Sequence, residues 1–354
     1  MIAASQTDLF GSRVCTFPST RYQGSKQRFI GWIWDCIANL DFDTVLDAFG
    51  GTGCFAYAAK THGKTVHYND ILPFNAIIGK ALIENPGVTL DGSDIARLLD
   101  FSLHSEISTF ISDTFHDIYY TDEENLWLDH VLCNIRAMED EYKQSLAYFA
   151  LFQACITKRP YNLFHRKNLY VRLQDVQRTF GNKKTWDTPF ETHFRKFARE
   201  ANKAVFDNYK PCRSFCADAV SLPNSYDLVY IDTPYVSNDG NGTDYAGFYH
   251  FLNGMAEYDK WQASIDYSSP HRKLVAKPSP WTSPMEIKNA FSRLLKHFKN
   301  SILVVSYRDD GIPSIPWLVN ALEALGKEVE VFASQRMKYV LSNKTTREML
   351  LVAR

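Results

Sequence analysis

A glycine-rich loop between a buried run and an alanine-rich helix pattern constrains the fold of this chain more than any other feature. Residues 44–49 have the apolar character of a short buried strand, residues 50–53 read Gly-Gly-Thr-Gly, and residues 54–62 follow with helical spacing. Glycines let the backbone turn sharply and approach a ligand, and the helix behind them offers free N–H groups. This unit predicts an α/β protein with a largely parallel sheet.

The same loop indicates a nucleoside-containing cofactor. No Gly-Lys-Ser or Gly-Lys-Thr follows it, which argues against a phosphate-binding P-loop. Gly51, Gly53 and Ala56 fit a relaxed dinucleotide pattern, and Asp70 ends the next predicted strand, where an acid binds ribose hydroxyls. From these residues alone, the cofactor is either a nicotinamide dinucleotide or S-adenosylmethionine.

Short apolar runs predict a mixed sheet of seven strands, at residues 44–49, 65–70, 214–218, 226–231, 302–307, 329–332 and 349–353. The last two, joined by a long hairpin at Asn343 and Lys344, imply one antiparallel strand. Residues 86–205 lack the alternation of strands and helices and read as mostly helical. We therefore predict a catalytic domain in two parts, residues 1–85 and 206–354, with an inserted helical domain at residues 86–205.

Two other segments are predicted to be irregular. Residues 1–20 carry no periodicity and are expected to form an extended arm. Residues 236–243 carry no side chain expected to anchor a core, so this loop is expected to be mobile without a ligand.

The candidate catalytic residues lie at the end of the fourth predicted strand. Its apolar run stops at Asp232, and a Pro that cannot continue a sheet ladder comes before Tyr235. Asp232 and Tyr235 are therefore delivered to the carboxyl edge of the sheet, where open α/β sheets bind ligands. The carboxylate and the Thr233 carbonyl can accept both hydrogens of an exocyclic amino group, while the Tyr ring stacks on its heterocycle. This arrangement favours methyl transfer to nitrogen over hydride transfer.

The charge distribution indicates a polyanionic partner. The net charge is −1, but residues 86–145 hold 13 acidic against 3 basic residues, and residues 154–210 hold 13 basic against 5 acidic. In the basic part, cations alternate with amides and aromatics, a composition suited to phosphates and bases. Solvated helix faces would also explain it, but the clustering favours nucleic-acid contact. The cations considered are Lys158, Arg159, Arg166, Lys167, Arg172, Arg178, Lys183 and Lys184.

The sequence gives no signal for a disulfide framework, a metal site or a membrane segment. The 7 Cys residues are scattered, without a Cys-x-x-Cys pair, so neither a disulfide framework nor a metal site is expected. No run of about 18 apolar residues and no signal peptide occurs, so no membrane partner is expected and a cytoplasmic location is predicted.

Several motifs in a fixed order resemble those of a known family. They are Arg21-Tyr-Gln-Gly-Ser-Lys26, Asp47-Ala-Phe-Gly-Gly-Thr-Gly53, Asn69-Asp70, Asp218 and Asp232-Thr-Pro-Tyr235, with a large insertion before Asp218. From Arg21 to Arg354 the chain resembles the D12-class, Dam-like DNA adenine-N6 methyltransferases of the α group. The resemblance implies a Rossmann-like S-adenosylmethionine-dependent fold, in which the helical insertion is a target-recognition domain.

The resemblance also implies site residues and partners. Asp232, Thr233, Pro234 and Tyr235 would grip a flipped-out adenine in double-stranded DNA. Cofactor contacts would come from Tyr22, Lys26, Asp47, Phe49, Gly50, Gly51, Gly53, Asp70 and Asp218. The segment Lys158 to Leu169 resembles the part of this family that approaches DNA. Together with the basic cluster, it gives the predicted DNA contacts Lys158, Arg159, Asn162, Arg166, Lys167, Arg172, Lys183 and Lys184. The enzyme would be an orphan methylase or the modification enzyme of a restriction-modification system, whose restriction endonuclease acts separately.

The sequence departs from the family pattern at Thr233, where Asp-Pro-Pro-Tyr is usual. Because the family's contact there is a backbone carbonyl, activity is compatible with Thr. The loop nevertheless loses one proline ring that would restrict its backbone. Alternatives remain at this point: methylation of an exocyclic amine in RNA, of cytosine N4 in DNA or of a protein glutamine, a catalytically inactive DNA-binding relative, or a nicotinamide dehydrogenase.

Overall fold

A seven-stranded mixed sheet organises the chain, as the sequence predicts. The computed structural model describes residues 15–174, 183–335, 337–338 and 345–354. Their strands are β1 Thr44–Asp47, β2 Thr65–Asn69, β3 Arg213–Phe215, β4 Leu228–Ile231, β5 Val236–Ser237, β6 Ile302–Arg308, β7 Gly311–Ile312, β8 Val329–Ala333, β9 Met337–Lys338, β10 Thr345–Thr346 and β11 Glu348–Ala353. The large sheet has the order β3-β2-β1-β4-β6-β11-β8.

The strand directions match the predicted mixed sheet. Strands β3, β2, β1, β4 and β6 run parallel, and β11 is antiparallel to both of its neighbours, β6 and β8. From β1 the chain proceeds to β2 and β3 on one side and later crosses to β4 on the other side. The order therefore reverses between β1 and β4, and such a switch point opens a crevice at the carboxyl ends of the strands.

Helices cover the sheet and fill the long segment between β2 and β3. They are α1 Ile30–Ile37, α2 Cys54–Thr61, α3 Pro73–Gly79, α4 Gly92–Leu98, α5 Phe110–Thr114, α6 Asp122–Arg136, α7 Glu141–Thr157, α8 Leu169–Leu173, α9 Lys183–Asp187, α10 Phe190–Ala204, α11 Tyr245–Phe248, α12 His250–Ala256, α13 Tyr258–Ser264, α14 Ile287–His297 and α15 Ile315–Glu323. A π-helical segment, Lys80–Glu84, continues α3. None of the helices in the described ranges combines the length and hydropathy needed to cross a membrane.

Local sequence signals explain where several helices begin. Ser25 accepts a hydrogen bond from the backbone N–H of Gln27 and so caps the short 3-10 helix Lys26–Arg28. Thr121 and Glu124 form a reciprocal capping box at the start of α6. Asp140 accepts backbone N–H groups in the first turn of α7. These caps satisfy N–H groups that have no partner within their own helix.

Two apolar cores lie on opposite faces of the sheet. One joins α1 to α3 with α6, α7, α10, α12 and α13, and the other packs α14 and α15 against β4 and β6. The helix α7 is buried along most of its length, between α10 and α3. The helical segment at residues 86–205 thus shares a core with the first part of the sheet, and its boundaries as a separate domain remain a prediction.

Two features differ from the sequence analysis. Helices α11 to α13 lie in a region for which no elements were predicted, and they join the core of the inserted helices. The expectation that residues 236–243 hold no side chain that anchors a core is wrong. Val236 is fully buried, because β5 pairs with β7 from a distant part of the chain. Residues 1–14 of the predicted arm, Arg178, Asn343 and Lys344 lie outside the described residues.

Candidate active site

The glycine loop between β1 and α2 brings its backbone to the carboxyl edge of the sheet. Gly51 and Gly53 have φ angles of 52° and 77°, a left-handed conformation that side chains with a Cβ rarely adopt. A Cβ on Gly50 would overlap the ring of Tyr68. The Tyr68 hydroxyl donates a hydrogen bond to the Gly51 carbonyl at 2.7 Å and fixes the loop. The loop is therefore a cradle that larger residues would fill.

Asp70 lies directly after β2 and holds the other side of this cradle. Its Oδ2 accepts hydrogen bonds from the Gly51 N–H and the Asn75 amide, both at 2.9 Å, and its Oδ1 accepts the Leu72 N–H at 2.8 Å. Burial raises the pKa of Asp70 to about 6, although these hydrogen bonds oppose the rise. The network orients an acid beside the glycine loop, as binding to ribose hydroxyls requires.

Asp47 at the end of β1 lies beneath the loop. It is 1% exposed, and its Oδ2 accepts the Ala56 N–H at 3.3 Å, whereas Oδ1 has no hydrogen-bond partner among the described residues. Burial, with the nearby charge of Asp232, raises the pKa of Asp47 well above its usual range. A buried acid with one unpaired oxygen fits a site for a ligand that donates hydrogen bonds.

Phe49 and Asp218 flank the cradle. The Phe49 ring packs edge-to-face on Trp281, with ring centroids 5.0 Å apart. Asp218 is exposed and caps the 3-10 helix Ala219–Ser221. Between them, the Asn69 side chain donates to the carbonyls of Ala48 and Ala217, each at 3.1 Å, so it ties the ends of three neighbouring strands together. The predicted cofactor residues after β1, β2 and β3 therefore lie at one edge.

Tyr22 lies in an aromatic stack that the sequence did not reveal. Its ring is nearly parallel to the rings of Tyr245 and Tyr249, with centroids 5.4 and 4.6 Å away. The Tyr249 hydroxyl accepts a hydrogen bond from the Gln23 N–H at 2.8 Å. The stack joins the N-terminal segment to α11 and α12 beside Asn75, whose amide lies 3.4 Å from the Tyr22 hydroxyl.

The Asp232–Tyr235 turn follows β4, one strand away from the glycine loop. The Tyr235 hydroxyl donates to Asp232 Oδ1 at 2.8 Å, and Lys26 Nζ donates to the same oxygen at 2.7 Å and also to the Tyr235 hydroxyl. Tyr235 is buried, and its ring packs edge-to-face on Tyr307. Lys26, expected to contact the cofactor, has its ammonium group on this turn.

Thr233 and Pro234 complete the turn. Thr233 is 2% exposed, and its hydroxyl donates to the Pro234 carbonyl at 3.2 Å. The side chain that stands where the family usually has Pro is therefore accommodated inside the protein, with its hydroxyl paired locally.

Glu348, the first residue of β11, is a member of the site that the sequence analysis missed. It is 1% exposed, and its Oε1 accepts the Ser306 hydroxyl at 2.7 Å. The same oxygen lies 3.2 Å from the Tyr235 hydroxyl, whose one proton points to the nearer Asp232 Oδ1 or is shared between the two acids. Lys26 Nζ lies 3.5 Å from the same oxygen. One feature of the sequence could have identified Glu348: an acid that starts an antiparallel strand lies at the edge of the sheet where the parallel strands end.

The electrostatics of the turn follow from these contacts. Burial raises the pKa of Asp232 to about 6, the Lys26 charge opposes the rise, and the Glu348 charge adds to it. Near neutral pH, Asp232 is a carboxylate that can accept hydrogen bonds from an amino group.

The structure places three of the predicted DNA-binding cations inside the protein, and this corrects the expectation for them. Lys158 and Arg172 pair with Glu124 at 2.8 and 2.7 Å. The Arg159 guanidinium donates to the carbonyls of Tyr119, Leu163 and Arg166 and to the Asn168 side chain. All three are at most 5% exposed, so they satisfy internal acceptors rather than face a polyanion.

The other predicted DNA contacts reach the surface. Arg166, Lys167, Lys183 and Lys184 are exposed, and Asn162 is half-buried at the end of a 3-10 turn. Lys167 pairs with Asp117 at 2.8 Å, and Lys183 pairs with Asp187 at 3.4 Å. Exposed pairs of this kind are weak and exchange readily with other ions. Within the described ranges, no group of His, Cys, Asp and Glu is arranged to hold a metal ion.

Known proteins with similar sequences identify the family of this chain. Residues 22–308 match the family of D12 class N6 adenine-specific DNA methyltransferases. The chain is 28% identical to Type II methyltransferase M2.HphI of Haemophilus parahaemolyticus, covering 94% of this chain and 95% of that protein. It is 22% identical to Type II methyltransferase M.CviAII of Paramecium bursaria Chlorella virus 1, covering 91% and 93%.

A longer relative is matched over part of its length. The chain is 24% identical to Modification methylase StsI of Streptococcus sanguinis, covering 93% of this chain and 51% of that protein, so it spans about half of StsI. The family match covers most of the chain, including the glycine loop, the Asp232–Tyr235 turn and the helices between them. This protein belongs to the D12 class of N6 adenine-specific DNA methyltransferases.

Proposed function

We propose that this enzyme transfers a methyl group from S-adenosylmethionine to the N6 amino group of an adenine flipped out of a specific double-stranded DNA sequence. The observation that carries the proposal is the adjacency of the Asp232–Tyr235 turn to the glycine loop and Asp70, at the switch point between β1 and β4. A cofactor cradle and an amino-group acceptor thus share one crevice.

The cofactor half of the proposal rests on the cradle. S-adenosylmethionine would supply an electrophilic methyl on a sulfonium. Gly50 to Gly53 would let its adenosyl part approach the backbone, and Asp70 would accept the ribose hydroxyls. The unpaired buried oxygen of Asp47 would accept a further donor from the cofactor. Tyr22, Phe49 and Asp218 would line the remaining sides.

The catalytic half rests on the turn. Asp232 and the Thr233 carbonyl would accept the two N6 hydrogens, which directs the nitrogen lone pair away from the ring and toward the methyl. Pro234 would fix the bend, and Tyr235 would stack on the base. The carboxylate would also stabilise the positive charge that develops on nitrogen as the N–C bond forms and the sulfonium C–S bond breaks.

The exposed cations would bind the DNA backbone. Arg166, Lys167, Lys183 and Lys184, with Asn162, would form the phosphate-contacting surface of the target-recognition domain, which brings a duplex to the crevice. Lys158, Arg159 and Arg172 are left out of this role because of their burial.

The biological setting is inferred from the relatives. M2.HphI and M.CviAII are named Type II methyltransferases, and StsI is named a modification methylase. We infer a modification enzyme whose restriction endonuclease acts separately; an orphan methylase without such an endonuclease would carry out the same reaction.

Expression in a bacterium that lacks its own DNA methylation, followed by genome-wide mapping of modified bases, tests the proposal. We expect N6-methyladenine in one defined sequence motif, and none in cells that express Asp232→Ala. N4-methylcytosine, methylated RNA without methylated DNA, or no modification would contradict it.

A further inference from the structure

A row of aromatic rings joins the two halves of the candidate site. The Phe49 ring packs on Trp281 with ring centroids 5.0 Å apart, and Trp281 packs on Phe291 at 5.3 Å. Phe291 then packs on Tyr307 at 5.5 Å, and Tyr307 packs on Tyr235 at 5.2 Å. Every contact is edge-to-face, with interplanar angles between 74° and 90°. This aromatic row connects the residue before the glycine loop to the last residue of the Asp232–Tyr235 turn.

Trp281 is the member of the aromatic row that does not belong to the core elements. Phe291 of α14 and Tyr307 of β6 are fully buried, so the core fixes their rings. Trp281 is only partly buried and comes from the 3-10 helix Pro280–Thr282, which lies outside the sheet. The placement of the Phe49 ring therefore depends on a segment that is distant along the chain.

The same 3-10 helix also contacts the loop that follows the Asp232–Tyr235 turn. A Cβ on Gly242 would lie 2.3 Å from the Thr282 carbonyl oxygen, so the two backbones are in close contact. The next residue of this loop, Thr243, donates its N–H to the Tyr235 carbonyl at 2.9 Å. The segment that holds Phe49 thus also supports the backbone around Tyr235.

Methyl transfer makes the relative position of these two rings important. The donor and acceptor atoms must approach within about 3–3.5 Å and in line. In the proposed function, Phe49 lines the cofactor half of the crevice and Tyr235 stacks on the base. A shift of either ring would misplace one reactant relative to the other.

We propose that Trp281 is a positioning residue that joins the two halves of the site: it holds the Phe49 ring beside the cofactor and, through the aromatic row and the Gly242 contact, fixes Tyr235 for the base. The inference rests on the proposed function. Trp281 takes no part in the transfer of the methyl group and acts through its neighbours.

The first test measures the affinity for S-adenosylhomocysteine by titration calorimetry, without DNA. Trp281→Ala should weaken binding by about 3- to 10-fold, the range for one aromatic contact. Trp281→Phe keeps a ring and should stay within about twofold of the native affinity. Trp317→Ala is the matched control: Trp317 is a partly buried tryptophan against the same core, in α15 beside β8 and β11, and its loss should leave the affinity unchanged.

The second test addresses the contact with the catalytic half. With saturating S-adenosylmethionine and a duplex that carries the mapped motif, Trp281→Ala should lower the single-turnover rate by at least about threefold, because Tyr235 also loses support. Gly242→Ala should push the 3-10 helix from the opposite side. It should weaken S-adenosylhomocysteine binding by at least about twofold, although Gly242 is not part of the cradle.

A double-mutant cycle separates positioning from a general loss of packing. In the Phe49→Leu background, Trp281→Ala should change the affinity for S-adenosylhomocysteine by less than about twofold, because the ring that Trp281 holds is absent. Native affinity in Trp281→Ala, additive costs in the cycle, or a native rate at saturating cofactor would overturn the proposal.

One further variant covers a failure of Trp281→Ala to fold. Trp281→Leu fills apolar space without a ring, and in that case it decides: binding at least about twofold weaker than native supports the proposal, and native binding overturns it. A native chain that binds no S-adenosylhomocysteine would instead contradict the proposed function.

Discussion

Lys26 and Asp232 form a buried ion pair, with Nζ 2.7 Å from Oδ1, although they belong to opposite parts of the chain. Their side chains are 4% and 16% exposed. The pair attaches the 3-10 helix Lys26–Arg28 to the Asp232–Tyr235 turn after β4, for which we propose the role of acceptor for the base. Removing either partner leaves a charge in a poorly hydrated place.

Asp232→Ala should abolish methyl transfer while it leaves cofactor binding intact. The acceptor of the amino group is lost, and a loss of one such transition-state contact lowers rates by about 100-fold or more. Asp47, Asp70 and the glycine loop are untouched, so the affinity for S-adenosylmethionine, measured by titration calorimetry, should remain near the native value. Turnover that survives the substitution would contradict the role of this carboxylate.

Transfer should weaken in mild acid. Burial raises the pKa of Asp232 from its usual 3.8 to about 6, so the carboxylate is lost as the pH falls through this value. The single-turnover rate should be flat above pH 7 and fall about tenfold per pH unit below 6. A rate that stays constant down to pH 5 would disprove this prediction.

The raised pKa of Asp232 affects stability in the opposite direction to the rate of transfer. Because the folded-state pKa of Asp232 lies above its unfolded value, this group's contribution to stability is complete below about pH 4 and is lost as the pH rises through 6. Protonation of Asp232 therefore does not unfold the protein, and circular dichroism at pH 5 should show the native fold while the rate is reduced.

Gly50→Ala should damage the cofactor cradle. A Cβ there overlaps the buried Tyr68 ring, whose hydroxyl holds the Gly51 carbonyl. We expect a loss of about 1–3 kcal/mol in the free energy of unfolding and a weaker affinity for S-adenosylmethionine. Gly31→Ala is the matched control: it lies in α1 with nothing within 4 Å of the new Cβ, and it should stabilise the fold by up to about 1 kcal/mol. Equal behaviour of the two variants would contradict the prediction.

The exposed cations should determine the salt dependence of DNA binding. In Arg166→Gln and Lys167→Gln, each lost phosphate contact should reduce the slope of log affinity against log salt concentration by about 0.9. Lys296→Gln, on the exposed side of α14 over the other core, should leave the slope unchanged. Unchanged slopes in the first two variants would assign those residues to ordinary solvated surface.

Arg159→Met should act on stability instead. The substitution removes the buried donor to the carbonyls of Leu163 and Arg166, while the Tyr119 carbonyl keeps Arg172. We expect a loss of about 2–5 kcal/mol in the free energy of unfolding by denaturant titration. A variant of native stability with a reduced salt slope would show that this arginine does reach DNA.

Most of the sheet and both halves of the candidate site could be predicted from the sequence. Strands with short apolar runs, the Gly50–Gly53 loop and the Asp232–Tyr235 turn all leave local signals, because backbone conformation and burial on one element depend on residues close in sequence. The antiparallel direction of β11 was also predictable, because the sequence joins its apolar run to that of β8 by a hairpin rather than by a helix. Helices α11 to α13 were not predicted because they are only 4, 7 and 7 residues long, too short to show a helical period in the sequence.

What the tertiary structure decided is which distant side chains meet. Lys26, Asp232 and Glu348 come together because the sheet order sets β4, β6 and β11 side by side, and no local pattern encodes that order. The basic segment at residues 154–210 also shows that partners depend on packing. Its composition indicated a cationic surface, but whether Arg159 or Arg166 faces solvent depends on which carbonyls and acids the surrounding helices bring within hydrogen-bonding distance. Sequence determined the elements and their chemical groups, and packing determined their partners.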